Sequence, residues 1–215
     1  MARITVLGGT GYTGGNIVRE AAARGHEVRS VSRNAPAEET PGVRYELGSL
    51  LDAQTRERVI AGADVVIAAL APRGDLEGAL GDVYARVEEL AAAGGARLGV
   101  VGGFSSLRPA EGAPRFAAGD DMPPEYAAEG RAMAGVVDHL VDAAPDGLDW
   151  FYVSPAATYG SYVPGETTGT YRVGTDVAFY DAQGSSAISG TDFASAILDE
   201  VDDPRHRRTQ LSIAY

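Results

Sequence analysis

The sequence predicts an α/β protein built on a doubly wound parallel sheet, and three observations carry that prediction. Short apolar segments alternate with longer helical ones from the N-terminus as far as residue 153. The apolar segments are almost wholly hydrophobic, as strands covered on both faces are. Glycine is abundant, with 28 in 215 residues, which suits helices that lie close against a sheet.

The first half of the chain predicts four strands and three helices. Gly25 ends the first helix, and Asp52 can cap the second. The predicted strands are Ile4–Leu7, Glu27–Ser32, Val43–Leu47 and Ala63–Leu70. The predicted helices are Thr13–Arg24, Asp52–Ala61 and Leu76–Ala93.

The second half continues the alternation around a long irregular segment, Gly102–Pro124, of a kind that is usually functional. From about residue 155 to 185, Tyr, Thr and Gly dominate, which predicts a small substrate-side region with short strands. Residues 1–215 contain no repeat or linker and are predicted to form a single domain. The remaining predicted elements are strands Arg97–Val101, Leu148–Val153 and Thr209–Ala214, and helices Glu125–Ala144 and Thr191–Glu200.

Composition excludes several classes of function. There is no cysteine, so disulfides, thiol catalysis and Cys-ligated metals are excluded, and three scattered histidines predict no metal site. The net charge of −12 argues against binding to nucleic acid or to anionic membrane. No apolar run approaches the ~20 residues of a membrane span, and the N-terminus reads as a strand rather than a signal peptide. We therefore expect a cytoplasmic protein.

A glycine-rich turn, residues 8–15, joins the first predicted strand to the first predicted helix. Gly8 permits a tight exit from the strand, Gly11 leaves room for a pyrophosphate, and Gly14 lets the helix pack on the sheet. The helix N-terminus would face the phosphates. These features predict a Rossmann-type dinucleotide site, with a purely structural turn as the alternative. The predicted contacts are Gly8, Thr10, Gly11, Tyr12, Thr13 and Gly14.

The end of the second strand favours NADP(H) over NAD(H). An acidic residue there would accept from the ribose 2′-hydroxyl of NAD, whereas an arginine accommodates the 2′-phosphate of NADP. The strand ends without a carboxylate, so Arg33 is predicted to clamp the phosphate with help from Ser32 or Asn34. A solvated surface arginine is the alternative. At the end of the fourth strand, Ala69, Leu70 and Ala71 are predicted to lie against the cofactor, with simple packing as the alternative.

Five further segments, in order along the chain, carry a family resemblance: Val101–Leu107, Met122–Tyr126, Leu148–Ala156, Pro164–Arg172 and Ile188–Ala194. With the glycine-rich turn, they resemble atypical short-chain dehydrogenases/reductases. Within that group the resemblance is to the family provisionally named NADH-flavin reductases, which is related to the biliverdin-IXβ/flavin reductases and to NmrA-like proteins. The resemblance implies NAD(P)H binding and reduction of a flavin or a similar acceptor.

The chain departs from these relatives at two points. The main branch uses a Tyr-x-x-x-Lys pair in which the lysine lowers the pKa of the tyrosine. Here Gly130 stands four positions after Tyr126, and all 18 basic residues are arginine. Family members commonly carry Asp after the glycine that ends the third strand, whereas this chain has Ser49, so an adenine contact is lost or replaced.

Ser105 and Tyr126 are the candidate catalytic residues. Ser105 follows the fifth strand, where such folds present a hydroxyl to nicotinamide or substrate, although turn propensity also explains a serine there. Tyr126 is a candidate proton donor or pocket wall, with packing at the helix start as the alternative. Gly103, Ser154 and Pro155, after the fifth and sixth strands, are further predicted cofactor contacts.

The leading hypothesis is an NAD(P)H-dependent oxidoreductase that reduces a flavin, quinone or similar planar acceptor by direct hydride transfer. The nicotinamide supplies the hydride, so the protein needs only to stack the acceptor and exclude water, which agrees with the missing Tyr/Lys pair. The alternative is a non-catalytic NADP(H)-binding redox sensor of the NmrA-like kind. A sugar-nucleotide epimerase or dehydratase is disfavoured by the short C-terminal region and the missing lysine. The expected partner is a small-molecule acceptor, and the expected state is a monomer or homodimer.

Overall fold

In the computed structural model, which describes residues 1–119 and 122–215, one sheet has the order β3-β2-β1-β4-β5-β6-β8-β7. Residues 120 and 121, in the predicted loop Gly102–Pro124, lie outside the described residues. All pairings given for the sheet are parallel except that of β7 with β8. The strands are Arg3–Leu7 (β1), Glu27–Ser32 (β2), Arg44–Leu47 (β3), Val65–Ala68 (β4), Arg97–Val101 (β5), Trp150–Ser154 (β6), Arg172–Gly174 (β7) and Thr209–Ala214 (β8).

Helices cover both faces of the sheet, which confirms the predicted doubly wound α/β class. Two of them, α1 and α5, pack on one face, while α2, α3 and α4 pack on the other. The helices are Tyr12–Ala23 (α1), Ala53–Ile60 (α2), Leu80–Gly94 (α3), Pro124–Ala143 (α4) and Gly190–Asp202 (α5). Short 3-10 turns are formed by Gly74–Leu76, Phe104–Ser106 and Phe116–Ala118.

Alternate residues of each central strand supply the two cores. In β6, Trp150 and Tyr152 point to the face covered by α3 and α4, whereas Phe151 and Val153 point to the face covered by α5. All four side chains are at most 1% exposed. Fully burying a large apolar side chain stabilises the fold by about 1.5–3 kcal/mol, so the continuous hydrophobic runs of the sequence are explained by coverage on both faces.

Two predicted elements differ from the structure by more than two residues at an end. Helix α3 begins at Leu80 rather than at Leu76, because Gly78 adopts a left-handed conformation with φ of +75° and separates the preceding 3-10 turn from the helix. The substrate-side region contains a single short strand, β7, with isolated bridges elsewhere. Much of its order comes from hydrogen bonds rather than from sheet pairing.

Asp192, in the first turn of α5, anchors part of this region. Its carboxylate is 1% exposed and accepts from the backbone N–H groups of Thr168 at 2.7 Å and Gly169 at 3.0 Å. The Tyr215 hydroxyl donates to the same carboxylate at 2.6 Å. Burial alone would favour the protonated form, but these hydrogen bonds hold the pKa of Asp192 below its ordinary value.

Within the described ranges, no helix is both long enough and apolar enough to cross a lipid bilayer.

Candidate functional site

The candidate site is the crevice at the carboxyl ends of β1 and β4, where the strand order reverses direction. Strand β1 pairs with β2 on one side and with β4 on the other, so successive connections leave the sheet in opposite directions here. In open α/β sheets, ligands bind at such a switch point. The glycine-rich turn after β1 and the segment after β4 form the two sides of this crevice.

The three predicted glycines of the turn have different structural roles. Gly8 has φ of +84°, and a Cβ there would lie 2.3 Å from the Ala69 carbonyl oxygen. A Cβ at Gly14 would lie 2.2 Å from the Gly8 carbonyl oxygen, so both positions need glycine for the fold itself. Gly11 differs, because it has φ of −72° and its Cβ would meet nothing closer than the Gly8 oxygen at 3.4 Å. The protein alone therefore does not require glycine at position 11.

The first turn of α1 presents backbone N–H groups without a capping side chain. Gly11 is the N-cap residue, and it has no side chain that could accept a hydrogen bond from the first N–H groups of the helix. By contrast, Asp52 caps α2 by accepting from the Thr55 N–H at 2.9 Å. Free N–H groups at a helix N-terminus, beside an exposed glycine, form a cradle for an anion. These residues fit the pyrophosphate of a dinucleotide.

Hydrogen bonds hold the turn and the start of α1 in place. The Ser32 hydroxyl, at the end of β2, accepts from the Thr10 N–H at 3.1 Å. Thr13 and Tyr159 share a hydrogen bond of 2.7 Å between their hydroxyls, and the Tyr12 ring lies edge-on to Tyr159 at 5.6 Å. Burial raises the pKa of Tyr159, so its hydroxyl stays protonated. The substrate-side region is thereby tied to the predicted cofactor turn.

Arg33 lies at the predicted position after β2, but it is paired with a carboxylate that sequence reasoning missed. Its guanidinium forms an ion pair with Asp75, whose other carboxylate oxygen accepts from the Ser49 hydroxyl at 3.1 Å. Strand β2 ends without a carboxylate of its own, as predicted, but Asp75, from the turn after β4, brings a carboxylate to the same place. Asp75 thus places a negative charge beside Ser49. Asn34 is exposed beside this cluster in sequence.

The segment after β4 approaches the glycine turn through its backbone. The Ala69 N–H donates to the Leu7 carbonyl at 2.8 Å, which extends the β1–β4 pairing. Leu70 is buried, while Ala69 and Ala71 are half-buried. The small side chains of Ala69 and Ala71 project little into the crevice. Leu70 belongs to the core on the α3 side.

Ser105 and Gly130 meet where the end of β5 approaches α4. Ser105 is half-buried in the 3-10 turn after Gly103, and a Cβ at Gly130 would lie 2.8 Å from its Oγ. The same Cβ would lie 2.8 Å from the Met122 sulfur. Gly130, which stands where the Tyr-x-x-x-Lys pair has its lysine, is therefore closely packed against Ser105 and Met122. Tyr126 is 59% exposed, so packing at the helix start does not explain it.

An aromatic group lies beside Ser105. Phe104 stacks on Phe116 with ring centroids 4.9 Å apart, and Tyr180 lies edge-on to Phe104 at 6.5 Å. Phe104 and Phe116 are half-buried, and Tyr180 is 44% exposed. With the predicted adenosine contact at Arg33, the nicotinamide half of a dinucleotide would extend toward β5 and this group.

Ser154, a predicted cofactor contact at the end of β6, has a buried side chain. It is 0% exposed, and its hydroxyl accepts from the Gln210 side chain at 3.1 Å. The same amide donates to the Ser106 carbonyl, and Arg115 donates to the Gln210 oxygen at 2.6 Å. This buried polar network holds the 3-10 turn that contains Ser105 in place through the Ser106 carbonyl. Pro155 is also buried.

The structure thus brings most predicted residues to one edge of the sheet. Gly8 to Gly14, Arg33 and the Ala69–Ala71 segment follow β1, β2 and β4, while Gly103, Ser105 and Tyr126 follow β5 or begin α4. Sequence reasoning missed Asp75 because its turn follows β4, which is two strands away from β2. It also missed the Phe104–Phe116 contact, although two aromatic residues in an irregular loop after a buried strand were a usable signal.

Comparison with known proteins identifies the family. The model of a family described as NAD(P)H-binding matches residues 8–204. The chain belongs to this family. The protein YwnB of Bacillus subtilis (strain 168) is 30% identical over 213 residues, covering 98% of this chain and 97% of YwnB.

Two solved structures are similar over the whole chain. A provisionally named exported protein from Burkholderia pseudomallei is 33% identical with a TM-score of 0.86, covering 100% of each chain. A provisionally named NADH-flavin reductase from Streptococcus pneumoniae is 27% identical with a TM-score of 0.86, covering 100% of this chain and 99% of the other. The resemblance found in the sequence is confirmed. The matches support a nicotinamide-binding, Rossmann-fold oxidoreductase in general terms.

Proposed function

We propose that the protein is an NADPH-dependent reductase that transfers a hydride to a flavin, quinone or similar planar acceptor. The observation that carries the proposal is the juxtaposition of an open pyrophosphate cradle at Gly11 with the aromatic pair Phe104–Phe116 at the other half of the same sheet edge. Planar rings stack favourably on aromatic side chains at such distances. A bound nicotinamide supplies the hydride.

The protein's own residues would bind and orient the two reactants. The N–H groups at the start of α1 hold the pyrophosphate, and Arg33 contacts the 2′-phosphate. Phe104 and Tyr180 provide one wall for the acceptor ring. The Ser105 hydroxyl lies next to this wall and can donate a hydrogen bond to the reduced acceptor, with the Tyr126 hydroxyl at the exposed rim as a second candidate. Reduction of a flavin or quinone takes up one hydride and one proton. The hydride comes from the nicotinamide and the proton from solvent or from one of these hydroxyls, so no tyrosine–lysine pair is required.

The first experiment is a titration of the purified protein with NADPH and NADH, followed by turnover with FMN, FAD and a simple quinone. We expect tight NADPH binding and acceptor-dependent loss of the nicotinamide absorbance. Phe104→Leu keeps an apolar side chain but removes the aromatic face, so it should lower turnover and leave NADPH binding unchanged. Tyr162→Leu is the matched control, because Tyr162 is 82% exposed and has no part in the aromatic group.

Three results would contradict the proposal. Tight NADPH binding without turnover on any of these acceptors would indicate the redox-sensor function instead. Failure to bind either nucleotide would refute the cofactor assignment itself. Turnover with a sugar nucleotide, and with no planar acceptor, would indicate an epimerase or dehydratase.

The domain organisation, assembly and compartment are proposed on the same basis. We propose that residues 1–215 form one domain, because a single sheet joins both halves of the described chain. We propose a monomer or homodimer that acts in the cytoplasm on a small molecule and binds neither nucleic acid nor membrane, in accord with its net charge of −12.

A further inference from the structure

We propose that Asp75 is a specificity-determining residue of the cofactor site, where it weakens binding of a 2′-phosphate. With Asp75 present, the affinities for NADPH and NADH differ less than they would with Arg33 alone. This inference rests on the proposed function, because it requires the adenosine half of a nicotinamide cofactor to bind beyond β2.

Three separate segments bring Asp75 to this place. Arg33 follows β2, Ser49 follows β3, and Asp75 lies in the 3-10 turn after β4. The neighbouring Gly74, with φ of +64°, brings that turn so near that a Cβ on it would lie 2.9 Å from Arg33 Nη1. Asp75 is therefore positioned by the backbone of its turn as well as by its ion pair.

Both oxygens of the Asp75 carboxylate are engaged at the rim of the crevice. One pairs with the Arg33 guanidinium, and the other accepts from the Ser49 hydroxyl at 3.1 Å. The side chains of Arg33 and Asp75 are 50% and 33% exposed, so a ligand can reach the pair from solvent. Any group that Arg33 binds in this arrangement is held next to a carboxylate.

This arrangement acts in opposite directions on the two cofactors. A 2′-phosphate carries about two negative charges, and repulsion by a nearby carboxylate in a solvated site is worth about tenfold in affinity. Opening the Arg33–Asp75 pair to avoid that repulsion leaves Asp75 without its partner. A 2′-hydroxyl, by contrast, can donate a hydrogen bond to a carboxylate at this position. Asp75 thus penalises NADPH and supports NADH.

The test is calorimetric titration of wild-type protein and the Asp75→Asn variant with NADPH, NADH, 2′,5′-ADP and 5′-AMP. Asn keeps the shape and a hydrogen-bonding oxygen but removes the charge. We expect NADPH and 2′,5′-ADP to bind about three- to tenfold more tightly to Asp75→Asn, while NADH and 5′-AMP bind equally or more weakly. Arg33→Gln should shift the preference in the opposite direction.

The matched control is Glu77→Gln, which removes the same charge from an exposed position two residues along the chain. It should leave the NADPH-to-NADH ratio unchanged. Equal changes for both cofactors in Asp75→Asn, or no change at all, would overturn the inference, since equal changes indicate an adenine contact common to both. If wild-type protein binds neither cofactor, the proposed function fails as well, and that result is distinct from the other two.

Discussion

The roles of Gly11 and Gly14 can be separated by mutation, because one glycine is needed by the fold and the other is not. In Gly11→Val the backbone stays in the extended region that valine readily adopts, and the new Cβ lies 3.4 Å from its nearest neighbour. Loss of a favourable N-cap costs about 1 kcal/mol, and the stiffer unfolded chain offsets about 0.4–1 kcal/mol of that. The free energy of unfolding should therefore change by less than about 1 kcal/mol.

Cofactor binding should respond far more strongly. A valine side chain at position 11 fills the space against which the pyrophosphate would lie. Each charge-assisted hydrogen bond to a phosphate is worth about 1.5–3 kcal/mol, so losing two should weaken binding at least about 100-fold. The loss should be the same for NADPH and NADH, since both carry the pyrophosphate.

The assay pairs calorimetric titration of both cofactors with urea unfolding of the same samples. Gly14→Ala is the informative contrast, because its Cβ would lie 2.2 Å from a backbone oxygen and should destabilise the fold by about 1–3 kcal/mol. Gly11→Val protein that folds normally and binds NADPH within about threefold of wild type would show that the phosphates lie elsewhere.

Three further predictions concern stability. Burial raises the pKa of Glu88, which is 0% exposed and 3.4 Å from His139, to about 7. Glu88 ionises at a lower pH in the unfolded chain than in the folded protein, so it should lower the free energy of unfolding by up to about 3 kcal/mol as the pH rises from about 4.5 to 7. Glu88→Gln should remove that loss in urea titrations. An unchanged pH slope in this variant would refute the role of Glu88. The lowered pKa of Asp192 gives a contribution that is present above its unfolded pKa and lost on acidification. Asp192→Asn should cost about 2 kcal/mol at neutral pH and flatten the acid side of the stability curve, with equal acid slopes as the contrary result. Gly135→Ala adds a Cβ in open space within α4 and should stabilise by about 0.5–1 kcal/mol; destabilisation would contradict the open environment.

Local patterns predicted the fold well because parallel strands and their helices have strong signals. Continuous apolar runs such as Arg97–Val101 gave strand bounds that the structure reproduces, as did the capping residue Asp52 for α2. Helix α3 was placed too early because Gly78 was not treated as a break. A glycine within a helical pattern can adopt either a helical or a positive φ. The choice depends on the tertiary path of the turn, which one sequence does not specify.

The parts of the site that a single stretch of sequence forms could be predicted. The parts that several distant segments form together could not. The turn from Gly8 to Gly14 is contiguous, so strand, turn and helix could be recognised together. The surroundings of Arg33 depend on Asp75, which is 42 positions away in sequence. Likewise, the burial of Ser154 depends on Gln210 in β8, a strand whose place beside β6 was not predicted. Such partners become visible only when the strand order is known.

The contact between Gly130 and the Ser105 turn has an evolutionary consequence. A lineage that gained the lysine of a Tyr-x-x-x-Lys pair at position 130 would have to move the ends of the Ser105 and Met122 side chains, because a Cβ there would lie 2.8 Å from the Ser105 Oγ and from the Met122 sulfur. Both are ends of flexible side chains, so the change requires new side-chain positions and not a new loop. Gly130 and the present position of the Ser105 hydroxyl should therefore be inherited together.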